Sequence, residues 1–199
     1  ILLSRWKKSL VLSNREKSQM AGALKILDNQ LNRLATKHIK IAVFGRVGVG
    51  KSSLLNALIE KQVFATDLAH GSTRRTSSVL WDQNVDCLNS IELIDTPGID
   101  EIAAAGRARL AKRIALYSDI VLLIIDSDLT SIDLEALLIL INNGKPVLLV
   151  LNRSDQWSKK EQNELLKSIH SRLPKAAKHL YIYIVASSPR TSYVHKNGK

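Results

Sequence analysis

The stretch that decides the fold is Ile39-Lys40-Ile41-Ala42-Val43-Phe44 followed by Gly45-Arg46-Val47-Gly48-Val49-Gly50-Lys51-Ser52. An apolar run leads directly into G-x-x-x-x-G-K-S, and the next residues, Leu54-Leu55-Asn56-Ala57-Leu58, carry a helical pattern. Strand, glycine-rich loop and helix in that order are the context in which such a loop binds phosphate. Its backbone N–H groups wrap the α- and β-phosphates, and the helix N-terminus adds positive potential. Lys51 is placed to reach the β- and γ-phosphates and the Ser52 hydroxyl to ligate Mg²⁺.

Three more motifs follow in order. Asp95-Thr96-Pro97-Gly98 ends the apolar run Ser90-Ile91-Glu92-Leu93-Ile94. A carboxylate at a strand end beside the phosphate loop suits the Mg²⁺ shell, and the Gly98 N–H suits a γ-phosphate. Asn152-Arg153-Ser154-Asp155 ends the run Pro146 to Leu151. The Asp155 carboxylate can accept from guanine N1–H and the exocyclic amine, a donor pair that adenine lacks. Taken alone, that tetrapeptide is also an ordinary strand-end turn. Val185-Ala186-Ser187-Ser188 follows the strand pattern Tyr181 to Ile184. It offers the Ala186 N–H to the guanine carbonyl and Ser187 as a support for Asp155.

With these four motifs the chain resembles the translation-factor-related phosphate-loop GTPases, and within them the Era-type bacterial group, from about Lys40 to Ser188. The resemblance implies GTP and GDP as ligands, Mg²⁺ as cofactor, and hydrolysis of GTP. The implied nucleotide contacts are Gly45, Arg46, Val47, Gly48, Val49, Gly50, Lys51, Ser52 and Ser53, then Asp95, Thr96, Pro97 and Gly98, then Asn152, Arg153, Asp155, Ala186 and Ser187. His70-Gly71-Ser72-Thr73-Arg74-Arg75 resembles the group's G-T-T-R-D segment, which makes Thr73 the Mg²⁺-ligating switch threonine, with Thr76 as the competing choice. The metal ligands are then Ser52, Thr73 and Asp95, and the catalytic set is Lys51, Thr73 and Gly98.

Departures from the group also carry information. Gly48 stands where potassium-stimulated members have Asn, so no side chain there holds a monovalent cation. Ile99 follows the D-x-x-G motif where Ras-like proteins have a water-orienting Gln. Asp100, Glu101, Arg74 and Arg75 are the polar groups nearby, and each also reads as a solvated loop charge. Slow hydrolysis is expected, accelerated by an activating protein or a switch-mediated homodimer. Arg153 replaces the usual Lys, whose stem packs on the base and whose ammonium braces the phosphate loop; Arg is planar and not equivalent there.

Strand patterns at about 40–45, 77–82, 90–95, 119–126, 146–151 and 181–186 alternate with helical patterns at 51–60, 102–117, 132–143 and 159–172. That alternation predicts an α/β fold of three layers, a six-stranded, mainly parallel sheet with helices on both faces. A hairpin around Asn84-Val85-Asp86 supplies the antiparallel pair, with Cys87 as a small packing residue in its second strand. One cysteine excludes an internal disulfide and a cysteine metal cluster. The five His residues show no ligand spacing.

Residues 1–38 read as a basic amphipathic helical extension and 39–199 as the nucleotide-binding domain. Residues 1–40 hold nine Lys and Arg against two acidic residues, +7 of the chain's +11. Met20, Leu24, Leu27, Leu31 and Leu34 form a one-sided helical stripe. The stripe reads as packing on the domain's own surface, while Ile1 to Leu12, which mixes apolar residues, a Trp and cations, reads as lying in an anionic membrane interface or, equally, over an apolar patch of a neighbouring domain. No stretch reaches the roughly 18 apolar residues of a bilayer span. The chain ends soon after Ser188, where related GTPases continue into a last helix; either the N-terminal helix takes that place or the C-terminal part is missing. Some Era-type proteins carry an N-terminal helical extension and a hydrophobic C-terminal domain, which would imply a cytoplasmic protein, peripheral or anchored to a membrane through a region outside this chain. An RNA- or ribosome-associated GTPase is the alternative that the basic charge permits, although no KH-type module is present. A non-catalytic GTP-binding scaffold and, against Asn152 and Asp155, an ATPase are the others.

Overall fold

The computed structural model describes residues 2–66 and 76–189. Thr73 and the rest of the His70–Arg75 segment lie outside these residues. Helices α1 (Leu2–Ser9) and α2 (Asn14–Thr36) precede β1 (His38–Phe44), α3 (Lys51–Ile59), β2 (Ser77–Trp81) and β3 (Ser90–Asp95). Then come α4 (Ala104–Tyr117), β4 (Ile120–Ile125), α5 (Ser131–Asn142), β5 (Val147–Leu151), α6 (Lys159–Arg172) and β6 (Ile182–Ile184). The six strands form one sheet in the order β2-β3-β1-β4-β5-β6, parallel except for β2.

Strand alternation divides the core between two faces. Ala42, Phe44, Val121, Leu123, Ile125, Leu149 and Leu151 point toward α4, α5 and α6. Val43, Ile124, Val150, Ile91 and Leu93 point toward Leu54 and Leu55 of α3. These are the three layers expected, and they fix the functional loops at the C-terminal ends of the parallel strands. Three of the helices start where side chains cap them. Thr130 and Asp133 form a capping box on α5, as do Ser158 and Glu161 on α6 and Ser13 and Glu16 on α2.

One expectation is corrected in the β2–β3 hairpin. Cys87 is exposed in the connecting turn at φ 70°, not a packing residue within a strand.

The extension docks by polar contacts. α2 runs into β1 through Lys37, whose left-handed backbone closes the helix with N–H bonds to Arg33 and Leu34 carbonyls. Arg33 pairs with Asp119 at 3.2 Å and donates to the Tyr117 carbonyl, and Gln30 donates to the Leu116 carbonyl. Leu24, Leu27 and Leu31 are half-buried, while Met20 and Leu34 stay exposed. α1 folds back on α2 through a Lys7–Asp28 ion pair and leaves Leu2 and Trp6 exposed. Helix α2 therefore sits at the end of α4 and the start of β1. On the α3 face of β5 and β6, Leu148, Tyr181 and Tyr183 remain exposed. No helix among the described residues is long and apolar enough to cross a membrane.

Candidate functional site

The site is built where β1, β3, β4 and β5 end beside the start of α3. Gly50, the last residue before α3, adopts φ 89°, and a Cβ there would stand 2.3 Å from Asn152 Nδ2. Only glycine lets the loop turn left-handed and approach the Asn152 side chain this closely. Asn152, 1% exposed, holds the two loops together: its Nδ2 donates to the Val49 carbonyl at 3.0 Å, and its Oδ1 accepts from the Ser187 N–H at 3.0 Å. The phosphate loop, the N-x-x-D segment and the Ala186–Ser187 turn thus share one buried amide. Asp155 sits exposed in the short 3-10 turn Ser154–Gln156 just beyond it, and the Ser154 N–H bonds the Val185 carbonyl at 3.0 Å.

Lys51 opens α3 and is buried, its ammonium donating to the carbonyls of Arg46 at 2.7 Å and Gly45 at 3.2 Å. Burial pushes its pKa below the ordinary lysine value, against the opposing pull of Asp95, Asp100 and Glu101. A buried cation at the start of a helix suits a phosphate oxygen. Ser52 Oγ lies 2.6 Å from Asp95 Oδ2, and Asp95 is 1% exposed at the end of β3. A hydroxyl and a carboxylate meeting at one point are the hard oxygen donors that Mg²⁺ takes. Among the described residues no cluster of three or more His, Cys, Asp or Glu could hold a metal alone. Ser52 and Asp95 fit an ion that takes further ligands from phosphate oxygens and water. Thr76 lies exposed just ahead of β2.

The D-x-x-G loop lies flush on the phosphate loop. A Cβ on Gly98 would fall 2.0 Å from Val47 Cγ2, Ile99 N–H bonds the Gly45 carbonyl at 3.3 Å, and Asp100 Oδ1 accepts from the Val47 N–H at 2.6 Å. Ile99 is fully buried in the core facing α4, so its side chain is turned away from the nucleotide site. Thr96 is buried with its hydroxyl on the Val43 carbonyl at 2.7 Å, so it ties β3 to β1.

The arginines form an arrangement that motif reading missed. Arg153, at φ 58°, donates NH2 to the Gly48 carbonyl and NH1 to Asp126 Oδ2 at 3.3 Å. Arg46 donates to Asp126 Oδ1 at 3.1 Å and pairs through Nε with fully buried Asp133 at 3.3 Å. Arg46 thus offers the site its backbone, while its side chain anchors the loop to β4 and α5. The only sequence signal for Asp126 was a carboxylate at the end of an apolar strand. Asn56 is a second omission. Buried in α3, it bonds both backbone groups of Phe64 at 2.8 Å and so fixes the chain entering the switch segment. A cavity of about 320 Å³ opens beside it, lined by Ser53, Asn56, Thr66, Ser187 and Ser188.

This geometry defines a phosphate-loop nucleotide-binding domain. The profile of the family described as 50S ribosome-binding GTPase matches residues 40–153, more than half of the chain. The chain belongs to that family. It is 34% identical over 147 residues to the tRNA modification GTPase MnmE of Thermoanaerobacter sp. (strain X514), covering 70% of this chain and 30% of that one. Among solved structures it is similar to a point variant of Aquifex aeolicus Era bound to GDP·AlF4⁻, with TM-score 0.64, 26% identity, and coverage of 76% of this chain and 52% of that one. Era in complex with MgGDPNP and nucleotides 1506–1542 of 16S ribosomal RNA superposes with TM-score 0.63 at 27% identity, with the same coverage. The chain thus spans about a third of MnmE and about half of Era. The Era-type resemblance read from the motifs agrees with these relatives.

Proposed function

We propose that this chain is a guanine-nucleotide switch that binds GTP and GDP with Mg²⁺ and hydrolyses GTP slowly. The observation that carries the proposal is Asn152, whose buried amide joins the phosphate loop to the base-reading turns. The phosphate loop holds the triphosphate by its N–H groups, and Lys51 exchanges the Gly45 and Arg46 carbonyls for phosphate oxygens. Ser52 and Asp95, with Thr73, hold the ion, which when bound neutralises charge on the β- and γ-phosphates. Asp155 selects guanine, and Arg153 braces the Gly48 carbonyl in the role usual for Lys. Hydrolysis is attack of water on the γ-phosphorus, driven by positioning and by the charge of Lys51. Since Ile99 is buried away from the site, the group that orients water comes from the switch segment, an activating protein or a second copy.

The test is nucleotide selectivity. Asp155→Asn should lose GDP affinity and gain preference for xanthosine nucleotides, because the amide now donates where guanine also donates. Unchanged GDP affinity in that variant would sink the base-reading assignment. For the cellular setting we propose a cytoplasmic protein held at an anionic membrane surface through the basic extension, whose Leu2 and Trp6 are exposed beside Arg5 and Lys8. Sedimentation with phosphatidylserine vesicles, lost at high salt, would support that; absence of binding at low salt would reject it. A second reading, association with ribosomal RNA, is favoured by the family description and by the net charge of +11. RNA binding with a steep salt dependence would select it over the membrane.

A further inference from the structure

The Val47 N–H belongs to the phosphate loop, yet its acceptor is a side chain of the D-x-x-G segment: Asp100 Oδ1 at 2.6 Å. Lys51 Nζ lies against the Arg46 and Gly45 carbonyls, so the stretch Gly45–Val47 is the flank of the loop on the γ-phosphate side. On this flank the three residues after Pro97 are all fastened: Gly98 packs on Val47, Ile99 N–H bonds the Gly45 carbonyl, and Asp100 caps the Val47 amide. A carboxylate is an acceptor-only anion, the same kind of partner that an oxyanion of phosphate offers to a backbone N–H. We propose that Asp100 is a nucleotide-discriminating residue: its carboxylate stands in for the γ-phosphate at the Val47 amide, favours the diphosphate-bound state, and has to leave when GTP binds.

The charge argument points the same way. A γ-phosphate arriving between Lys51 and Gly98 brings negative charge toward Asp100, which also contributes to the field at the Lys51 ammonium. A diphosphate ends short of this flank and leaves the Val47–Asp100 bond in place. Release of Asp100 would leave Ile99 held by its own buried side chain and by its N–H bond to the Gly45 carbonyl, so the change is confined to the Val47–Asp100 contact. Asp100 is exposed, so the repulsion is partly screened and the bond competes with water. An effect of roughly three- to tenfold on the triphosphate, and none on the diphosphate, is the scale for a charge-assisted hydrogen bond discounted in this way.

The inference rests on the guanine-nucleotide reading, and the experiment separates the two. Affinities for GDP and for GTPγS are measured with Mg²⁺ for wild type, Asp100→Asn and Asp100→Ala, with amide exchange followed at Val47. The expected result is GDP affinity within about twofold of wild type and a GTPγS affinity raised roughly three- to tenfold in both variants. In the wild type the Val47 amide should stay protected with GDP and change with GTPγS. An unchanged ratio of the two affinities overturns the inference while leaving the nucleotide reading intact. A loss of single-turnover hydrolysis at an unchanged ratio also overturns it, assigning Asp100 to catalysis instead. A wild type that binds neither guanine nucleotide overturns the reading beneath it, and the inference with it.

Discussion

Truncating Asn152 to alanine should uncouple the phosphate loop from the base-reading turns. The side chain makes two hydrogen bonds at 3.0 Å, to the Val49 carbonyl and from the Ser187 N–H, and is 1% exposed. Each neutral bond contributes about 1 kcal/mol net, and a buried group left without a partner costs about 1–3 kcal/mol more. Val49 is fully buried, so its carbonyl bears that cost, whereas Ser187 is only half-buried and its N–H can turn to water. The sum is about 3–5 kcal/mol. Urea unfolding without nucleotide should show that loss, and GDP affinity should fall at least about tenfold because the two loops no longer hold one geometry. Asn152→Asp is the informative companion, since it keeps the acceptor for Ser187 but turns an oxygen toward the Val49 carbonyl. It should lose stability as well, despite its near-identical shape. A loss under about 0.5 kcal/mol in Asn152→Ala, the range of an ordinary surface change, together with unaltered GDP affinity would refute the reasoning.

Lys51→Met should unfold no earlier than wild type without nucleotide, because it removes a buried cation, yet GDP should no longer raise its Tm. The pH dependence follows from the depressed pKa of Lys51, which burial causes against the pull of Asp95, Asp100 and Glu101. The unfolded chain holds the proton more tightly, so the penalty is complete below the folded pKa. It fades as pH rises toward 10.5, which narrows the stability gap to Lys51→Met over that window, and a gap independent of pH would count against a buried charged lysine. Arg153→Lys, although it restores the residue usual in related proteins, should speed GDP release about three- to tenfold. Arg153 reaches the Gly48 carbonyl and Asp126 from two nitrogens of one planar fork, a span that the one nitrogen of lysine loses, and release no faster than wild type would contradict this.

Much of the site was legible because its chemistry is local. Gly45 to Ser52, Asp95 to Gly98 and Asn152 to Asp155 each follow an apolar strand, and the parallel sheet gathers the C-terminal ends of those strands on one side. The strand limits were read within about two residues for the same reason. What could not be read depends on contacts between segments distant in sequence. Asp126 lies 80 residues from Arg46, and nothing in either neighbourhood marks the pair. Cys87 was misplaced because the turn centred on Asn84-Val85-Asp86 runs on through Cys87, so that this residue precedes the strand, which starts at Ser90 as its apolar pattern indicates. The stripe on α2 was real in period, but its period cannot say that polar bonds from Gln30 and Arg33, rather than the leucines alone, would dock it.

The arginine at position 153 is best understood together with Arg46. In isolation Arg153 is a poorer brace than lysine, because a planar fork needs two acceptors in its plane. Here the second acceptor exists: Asp126 gives one oxygen to Arg153 and the other to Arg46, at 3.3 and 3.1 Å. Arg46 is held from its far side by Asp133, which is itself fixed by the α5 capping box through Thr130 at 2.7 Å. The fork on Gly48, the carboxylate at the end of β4 and the cap of α5 are therefore one chain of contacts running from the base loop, through the phosphate loop, to a helix in the opposite layer. Two residues that look independent in the sequence, Arg153 and the half-buried Arg46, become a single unit in charge terms, two cations balanced by two carboxylates. The phosphate loop then has two supports from the N-x-x-D segment, the amide of Asn152 and the fork of Arg153, so that on the function proposed above whatever orients the base also orders the groups that meet the phosphates.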